Sequence, residues 1–316
     1  MDITVAVCTY RRFNLLRTCL ESLQRQSVDR SNYRLLVIDN SLQPEESKRF
    51  RDSLWAFTNL EYVITEQCGI AFARNEALRR CQTALIAFTD DDCVIPVDWV
   101  DTILSEFSSL DDSVAAIGGR VLPRWELRQP DWLEKKFFHQ LALIDWGQER
   151  TPICHQDGKW LLTANAAYRT NALRKAGGFP MHLGRKRRLP LAQEEFAANQ
   201  CLLDMGFVVL YTPKLWVEHF IPQERTTKKS LLRDAFWDGV SQALIRARDF
   251  QAEDTDVLSG KLMPLQDSLL SKIDESISSS ILLEKGNELR GKGFHAAQEV
   301  LCDLEKAEGC TETAWP

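Results

Sequence analysis

The sequence predicts an α/β fold: a mostly parallel, Rossmann-like sheet flanked by helices, with a C-terminal helical extension. Two observations predict it. Apolar runs of strand length alternate with helical patterns over the first 120 residues, and such alternation implies βαβ units and a parallel sheet. One run, Ala84-Leu85-Ile86-Ala87-Phe88-Thr89, ends abruptly in Asp90-Asp91-Asp92. Buried parallel strands read as continuous apolar runs, and ligands bind outside their carboxyl ends.

Taken in order, Ile3 to Cys8 reads as a strand. Leu15, Leu16, Cys19, Leu20 and Leu23 share one face of a helix. Arg34 to Ile38 is a second strand ending at Asp39, and Tyr62 to Thr65 a third. Ala71 to Cys81 reads as a helix, Ala84 to Thr89 as the next strand, Val97 to Ser108 as a helix and Val114 to Ile117 as a strand. Right-handed crossovers then bring Thr9, Asp39 and Asp90 to Asp92 to one edge. The middle is less regular, and Trp125, Pro130, Trp132 and Trp146 stand out. Leu-Thr-Ala-Asn (162–165) and Gly177-Gly178-Phe179 flank a short helix. Glu194-Glu195 opens a helix ending at Gly206. Strand patterns follow at Phe207 to Tyr211 and Trp216 to His219, and helical patterns fill most of 226–250 and parts of 262–308.

The chain's 316 residues can hold one large domain or two smaller ones. A net charge of −6 argues against a nucleic-acid binder working by bulk electrostatics. The nine cysteines form no C-x-x-C pair, which argues against structural zinc. Cys8, Cys19 and Cys201 sit in apolar runs, as reduced buried thiols of a cytosolic protein do. A signal peptide and a bilayer-spanning run are both missing from the pattern. The expected location is cytoplasmic, with any membrane contact peripheral, at the inner face.

Three adjacent carboxylates repel one another unless a cation sits among them. Hard divalent cations favour oxygen ligands, and Mg²⁺ is usually held by one or two carboxylates plus substrate phosphates. The triple acid therefore suggests Mn²⁺ or Mg²⁺ holding a phosphorylated substrate. Acids near the positive end of a helix would give the same pattern without a metal.

Several landmarks together resemble an inverting family 2 glycosyltransferase of the nucleotide-diphospho-sugar transferase fold called GT-A. Val-Cys-Thr-Tyr-Arg-Arg (7–12) is similar to the family's strand-then-T-Y-N-R opening, and Val-Ile-Asp-Asn-Ser (37–41) to its V-D-D-G/N-S. Gly-Ile-Ala-Phe-Ala-Arg-Asn-Glu-Ala-Leu (69–78) is similar to its G-x-x-x-A-R-N segment, and the aspartate run to its D-x-D motif. Glu194-Glu195, followed by Asp204-Met-Gly-Phe, resembles its E-D pair and the segment closing that helix. Order and spacing give these common pieces their specificity. The resemblance covers about residues 3–221. It implies a GT-A domain over 1–221, with a nucleotide-binding half of about 1–119 and an acceptor-binding half of about 120–221. Residues 222–316 form a helical region beyond it.

Carried residue by residue, the resemblance implies that Asp39 accepts the imide N–H of a uracil or thymine, as an acceptor-only carboxylate suits. Thr9 and Arg11 would lie near the base. Arg74 would lie near the base or ribose, or else pair with an acid. Asp90 would meet ribose or a metal-bound water, with Asp91 beside it, and Asp92 would ligate the metal. The metal then neutralises the leaving nucleoside diphosphate. Glu195 occupies the place of the family's usual Asp as general base, with Glu194 before it, so this chain departs from E-D. His219 resembles a late-strand His that ligates the metal or touches the diphosphate, and Asn165 one beside the sugar pocket. Trp125, Trp132 and Trp146 suit sugar stacking or, more commonly, core packing. The basic run 185–188 faces a diphosphate or anionic lipid headgroup, or is a solvated loop.

The implied partners are a UDP- or dTDP-sugar donor and a hydroxyl acceptor, a glycan or lipid-linked one included, in polysaccharide or glycoconjugate biosynthesis. Rival readings remain. Asp90-x-Asp92-x-Val94 formally fits a haloacid-dehalogenase-type phosphatase, although that motif usually opens its domain. A nucleotidyltransferase would need a Gly-rich loop, and residues 7–14 contain no Gly. A non-catalytic glycan-binding module would not need both acid clusters.

Overall fold

A computed structural model describes residues 2–156, 158–186, 189–247, 255–274 and 276–307. The chain divides into two compact units. The first comprises Met1–Arg128, Leu141–Pro180 and Glu194–Pro222, and the second Gln129–Gln140, Met181–Gln193 and Gln223–Pro316.

In the first unit the strands are β1 (Ile3–Thr9), β2 (Tyr33–Asp39), β3 (Leu60–Ile64), β4 (Leu85–Asp90), β5 (Cys93–Val94), β6 (Val114–Trp125), β7 (Thr151–Pro152), β8 (Ala166–Arg169) and β9 (Val208–Ile221). The helices are α1 (Phe13–Gln24), α2 (Pro44–Asp52), α3 (Ile70–Arg80), α4 (Trp99–Ser108), α5 (Thr170–Lys175) and α6 (Glu194–Asp204). The described strands form one sheet in the order β3-β2-β1-β4-β8-β6-β9-β5, with β7 also on β9. The first four strands are parallel, as the alternating pattern predicts. Past β4 the sheet turns mixed: β8 runs antiparallel to β4 and β6, and β5 and β7 antiparallel to β9, while β6 and β9 are parallel.

Burial explains the strand pattern. Every residue of β1 is buried, as are five of the six in β4, which is why both read as continuous apolar runs. Leu16, Cys19, Leu20 and Leu23 form the buried face of α1. Behind the strand ends, Phe88, Tyr168 and Phe179 meet edge-to-face, with ring centroids 5.3–6.3 Å apart. Gly119 lets β6 approach β9, since a Cβ there would fall 2.0 Å from the Leu215 carbonyl oxygen. Cys8 and Cys19 are buried free thiols and Cys201 a half-buried one.

The second unit is helical: α7 (Lys228–Arg246), α8 (Thr255–Leu270) and α9 (Ser279–Ala307). Helices α7 and α9 approach through glycines on both sides. A Cβ at Gly239 would lie 1.9 Å from the Arg290 carbonyl oxygen, and one at Gly293 would lie 2.1 Å from that of Phe236. Leu231, Leu232, Phe236, Val240, Leu282 and Leu289 supply the apolar core between them. Trp132 packs edge-on against Phe137 and under the Lys228 ammonium. In the basic run, Arg187 and Arg188 lie outside the described residues. No helix among the described residues is long and apolar enough to cross a membrane.

Candidate active site

Register assembles the first part of the site. Thr9 of β1 stands level with Asp39 of β2, and Cys8 level with Asp90 of β4. Three adjacent strands therefore deliver Thr9, Asp39 and Asp90 to one sheet edge. Asp39 is fully buried. Its Oδ1 accepts the Ser41 N–H at 2.9 Å, closing an Asx turn, and its Oδ2 accepts the Tyr62 hydroxyl at 2.7 Å. Burial and the Asp39 charge push the Tyr62 phenol well up, so it stays a donor. Arg11 has a left-handed φ of 61°. It donates its N–H to Ser41 Oγ (2.8 Å) and its Nε–H to the Ser41 carbonyl (3.0 Å). Thr9 turns the other way and donates Oγ1–H to Asp91 Oδ2 at 2.7 Å.

Asp91 and Asp92 follow β4 as a tight turn into the two residues of β5. That short strand pairs with β9 so that Cys93 faces His219, and the Phe220 N–H donates to the Asp92 carbonyl at 3.0 Å. His219 is thereby fixed beside the acids, with Nε2 3.2 Å from Asp92 Oδ1. Ligand atoms of Asp90, Asp92 and His219 all lie within 4.8 Å of one another. His219 is buried, and its Nδ1 has no hydrogen-bond partner among the described residues. Two carboxylates and an imidazole converging this closely fit a divalent ion such as Mn²⁺ or Mg²⁺.

One residue of this cluster escaped the motif reading. Arg12, at the N-cap of α1, places Nη2 2.7 Å from Asp91 Oδ1 and donates Nη1–H to Asp92 Oδ2. Burial pushes the Asp91 carboxyl up to about 7; Asp92 adds to this, while Arg12 and the Thr9 hydroxyl oppose it. The available signal was the Arg11-Arg12 pair beside a strand end that gathers acids. Only the backbone turn at Arg11 decides which arginine meets them.

Arg74, on α3, joins this cluster to the second acid pair. It donates Nη1–H to Glu194 Oε1, stands 3.3 Å from Asp90 Oδ1 and 3.9 Å from Glu195 Oε2, and lies over the Phe179 ring. It thus pairs with acids, one of the two roles the sequence left open. Burial works against its charge, but Glu194, Glu195 and Asp90 hold its pKa above the ordinary value. The neighbouring Asn75 exchanges hydrogen bonds with the Phe179 backbone (2.7 and 2.8 Å) and so fixes the floor beneath Arg74. Glu194 and Glu195 open α6, where a helix N-terminus favours acids. Glu194 is the more enclosed, with 6% of its side chain exposed against 15% for Glu195. Burial pushes Glu195 up to about 8, helped by Glu194 and opposed by Arg74.

Two predicted positions serve the frame. Asn165 is buried, accepting from Trp99 Nε1 (2.7 Å) and donating to the Arg120 carbonyl (2.9 Å). Trp146 packs against Trp160 and donates to its carbonyl at 2.9 Å.

Comparison with known proteins identifies the family and the fold. The profile of Glycosyl transferase family 2 matches residues 4–175, and the chain belongs to that family. The chain is 25% identical over 265 residues to the glucosyl-dolichyl phosphate glucuronosyltransferase of Haloferax volcanii, covering 80% of each protein. Among solved structures it resembles the mannosyltransferase PcManGT from Pyrobaculum calidifontis in complex with GDP-Man and Mn²⁺. That match has a TM-score of 0.56 at 18% identity and covers 98% of this chain and 88% of the other. It also resembles S. aureus TarS 1-349 in complex with UDP-GlcNAc, with a TM-score of 0.51 at 14% identity, covering 99% and 93%. The architecture is that of GT-A glycosyltransferases.

Proposed function

We propose that this family 2 glycosyltransferase moves a sugar from a nucleotide-diphospho-sugar, of the UDP or dTDP type, to an acceptor hydroxyl with inversion at the anomeric carbon. The observation that carries the reading is Arg74, which stands between Asp90 of the candidate metal set and the Glu194-Glu195 pair. A site for a diphosphate leaving group and a site for a base are thereby one arginine apart. Asp92, Asp90 and His219 would hold a divalent ion, which when bound supplies charge neutralisation for the departing diphosphate.

The remaining chemistry belongs to the chain. Asp39 keeps lone pairs beyond those engaged by Ser41 and Tyr62, and these accept a base imide N–H. Arg11 lines the same loop. Glu195, the more open glutamate, takes the proton of the acceptor hydroxyl as its oxygen bonds to the anomeric carbon. The bond from that carbon to the diphosphate breaks, and the nucleoside diphosphate leaves with the electron pair. Glu194, held by Arg74, positions its neighbour. A relative whose name includes glucosyl-dolichyl phosphate supports a glycan or lipid-linked acceptor, in polysaccharide or glycoconjugate biosynthesis.

A donor panel tests the reading. UDP-, dTDP- and GDP-sugars are compared by thermal shift and by donor hydrolysis, with and without Mn²⁺, since ligand binding raises apparent stability. The expected result is a metal-dependent shift and hydrolysis with a UDP- or dTDP-sugar. Phosphate release from simple phosphomonoesters, with no response to nucleotide sugars, would favour the phosphatase reading instead.

A further inference from the structure

We propose that Arg12 is the counter-cation that Asp91 and Asp92 hold when no divalent ion is bound, and that it releases Asp92 when one enters. The inference rests on the reading of Asp90, Asp92 and His219 as metal ligands. Asp92 has two claimants. Its Oδ2 accepts from Arg12, while its Oδ1 faces His219 Nε2 at 3.2 Å inside the candidate ligand set. A divalent ion bound there would lie beside the guanidinium, and two cations at such range repel strongly in a partly dry site.

The two partners of the clamp differ in freedom. Asp91 and Asp92 are 0% and 6% exposed as side chains, whereas Arg12 is 47% exposed. The acids are fixed by the strand end, and Arg12 is the partner able to swing outward. Arg12 is the N-cap of α1, where its donor-only guanidinium has no capping role. Departure of the side chain therefore costs the helix no capping bond.

An ion arriving alone must displace Arg12. An ion arriving with a nucleoside diphosphate offers the displaced guanidinium new anionic oxygens, which its planar fork matches well. Ion and nucleotide are thereby coupled through one side chain, and the coupling is reciprocal.

The test is Mn²⁺ affinity, read by calorimetry or by the electron paramagnetic resonance of free Mn²⁺, with and without UDP. Wild type is compared with Arg12→Gln, Arg12→Ala, Arg11→Gln and Asp92→Asn, each checked for native circular dichroism. Without UDP, both Arg12 variants should bind Mn²⁺ roughly tenfold more tightly than wild type. UDP should strengthen Mn²⁺ binding by a larger factor in wild type than in Arg12→Gln. Arg11→Gln removes an equal charge that does not touch the acids, and it should change affinity much less. Unchanged or weaker binding in the Arg12 variants, or equal tightening in Arg11→Gln, overturns the competition. If Asp92→Asn abolishes Mn²⁺ binding in the same series, the metal site itself stands. If Asp92→Asn binds Mn²⁺ as wild type does, the metal assignment and the competition both fall.

Discussion

Arg12 and Arg74 make the same kind of contact in two parts of the site and differ in how far each is enclosed. Each sets a guanidinium among carboxylates, yet Arg12 is 47% exposed and Arg74 only 5%. A buried guanidinium among buried acids is a strut, because removing it strands charges that water cannot reach. A half-exposed one can itself turn outward to water, so it exchanges once another cation takes over the charge of its buried partners. Asp39 adds a third case, an acid held by the neutral donors of Ser41 and Tyr62. On the proposed reading, its remaining lone pairs are left for a base N–H.

The largest effect expected from this contrast is on folding. Arg74→Met should destabilise the protein by about 3–5 kcal/mol in urea unfolding, through the stranded Glu194. A loss near 1 kcal/mol would mean that Arg74 is no strut. Next in size is base recognition. Asp39→Asn keeps an oxygen for the Ser41 turn but loses the charge, and UDP binding should weaken by roughly 1.5–3 kcal/mol in calorimetry. Equal affinity would place the base elsewhere.

A pH profile separates the open glutamate from the clamped one. Burial, with Glu194 beside it, pushes the Glu195 carboxyl up to about 8 in the folded chain. A general base must be ionised, so kcat/KM should rise with pH and level off above about 8. The sign for stability is opposite. The fold favours the protonated carboxyl, so this group's contribution is complete at acid pH and is lost as pH rises from the ordinary carboxylate value toward 8. Glu195→Gln should therefore lose less stability than wild type between pH 5 and pH 8 in urea unfolding. A parallel pH dependence in both proteins would contradict the raised pKa. The smallest effect belongs to Arg12→Gln with Mn²⁺ present, when the ion and not Arg12 balances the buried acids, and it should cost about 1 kcal/mol or less of stability. A cost matching that of Arg74→Met would erase the distinction between the two arginines.

Legibility in the sequence followed the same physics. Strands β1, β2 and β4 were readable because burial on both faces makes them continuous apolar runs, and their ends predicted the shared edge of Thr9, Asp39 and Asp90. Helix α2 was missed although Pro44, Glu45 and Glu46 mark a helix start. Only Ser47 of that helix is buried, so no apolar period betrays it. Strand β9 read as two strands because Pro213 interrupts it. That proline lies where the β6–β9 register shifts, a place where a strand tolerates proline. The position of His219 beside Asp92 depends on the two residues of β5, too short to leave a pattern. Arg74's partners were open in the sequence because an arginine on a helix reaches several strands' worth of neighbours, and only the packing of Phe179 and Asn75 selects among them.

The central claim is that Glu195 acts on the acceptor while Glu194, gripped by Arg74, holds it in place. Single-turnover transfer by Glu195→Gln and Glu194→Gln, with UDP and Mn²⁺ affinity measured in parallel, tests it most directly. Glu195→Gln should lose roughly 10²–10⁴-fold in transfer rate with nucleotide and metal binding nearly unchanged, and Glu194→Gln should lose less. A Glu195→Gln enzyme that keeps its rate while Glu194→Gln loses it would contradict the account and make Glu194 the base.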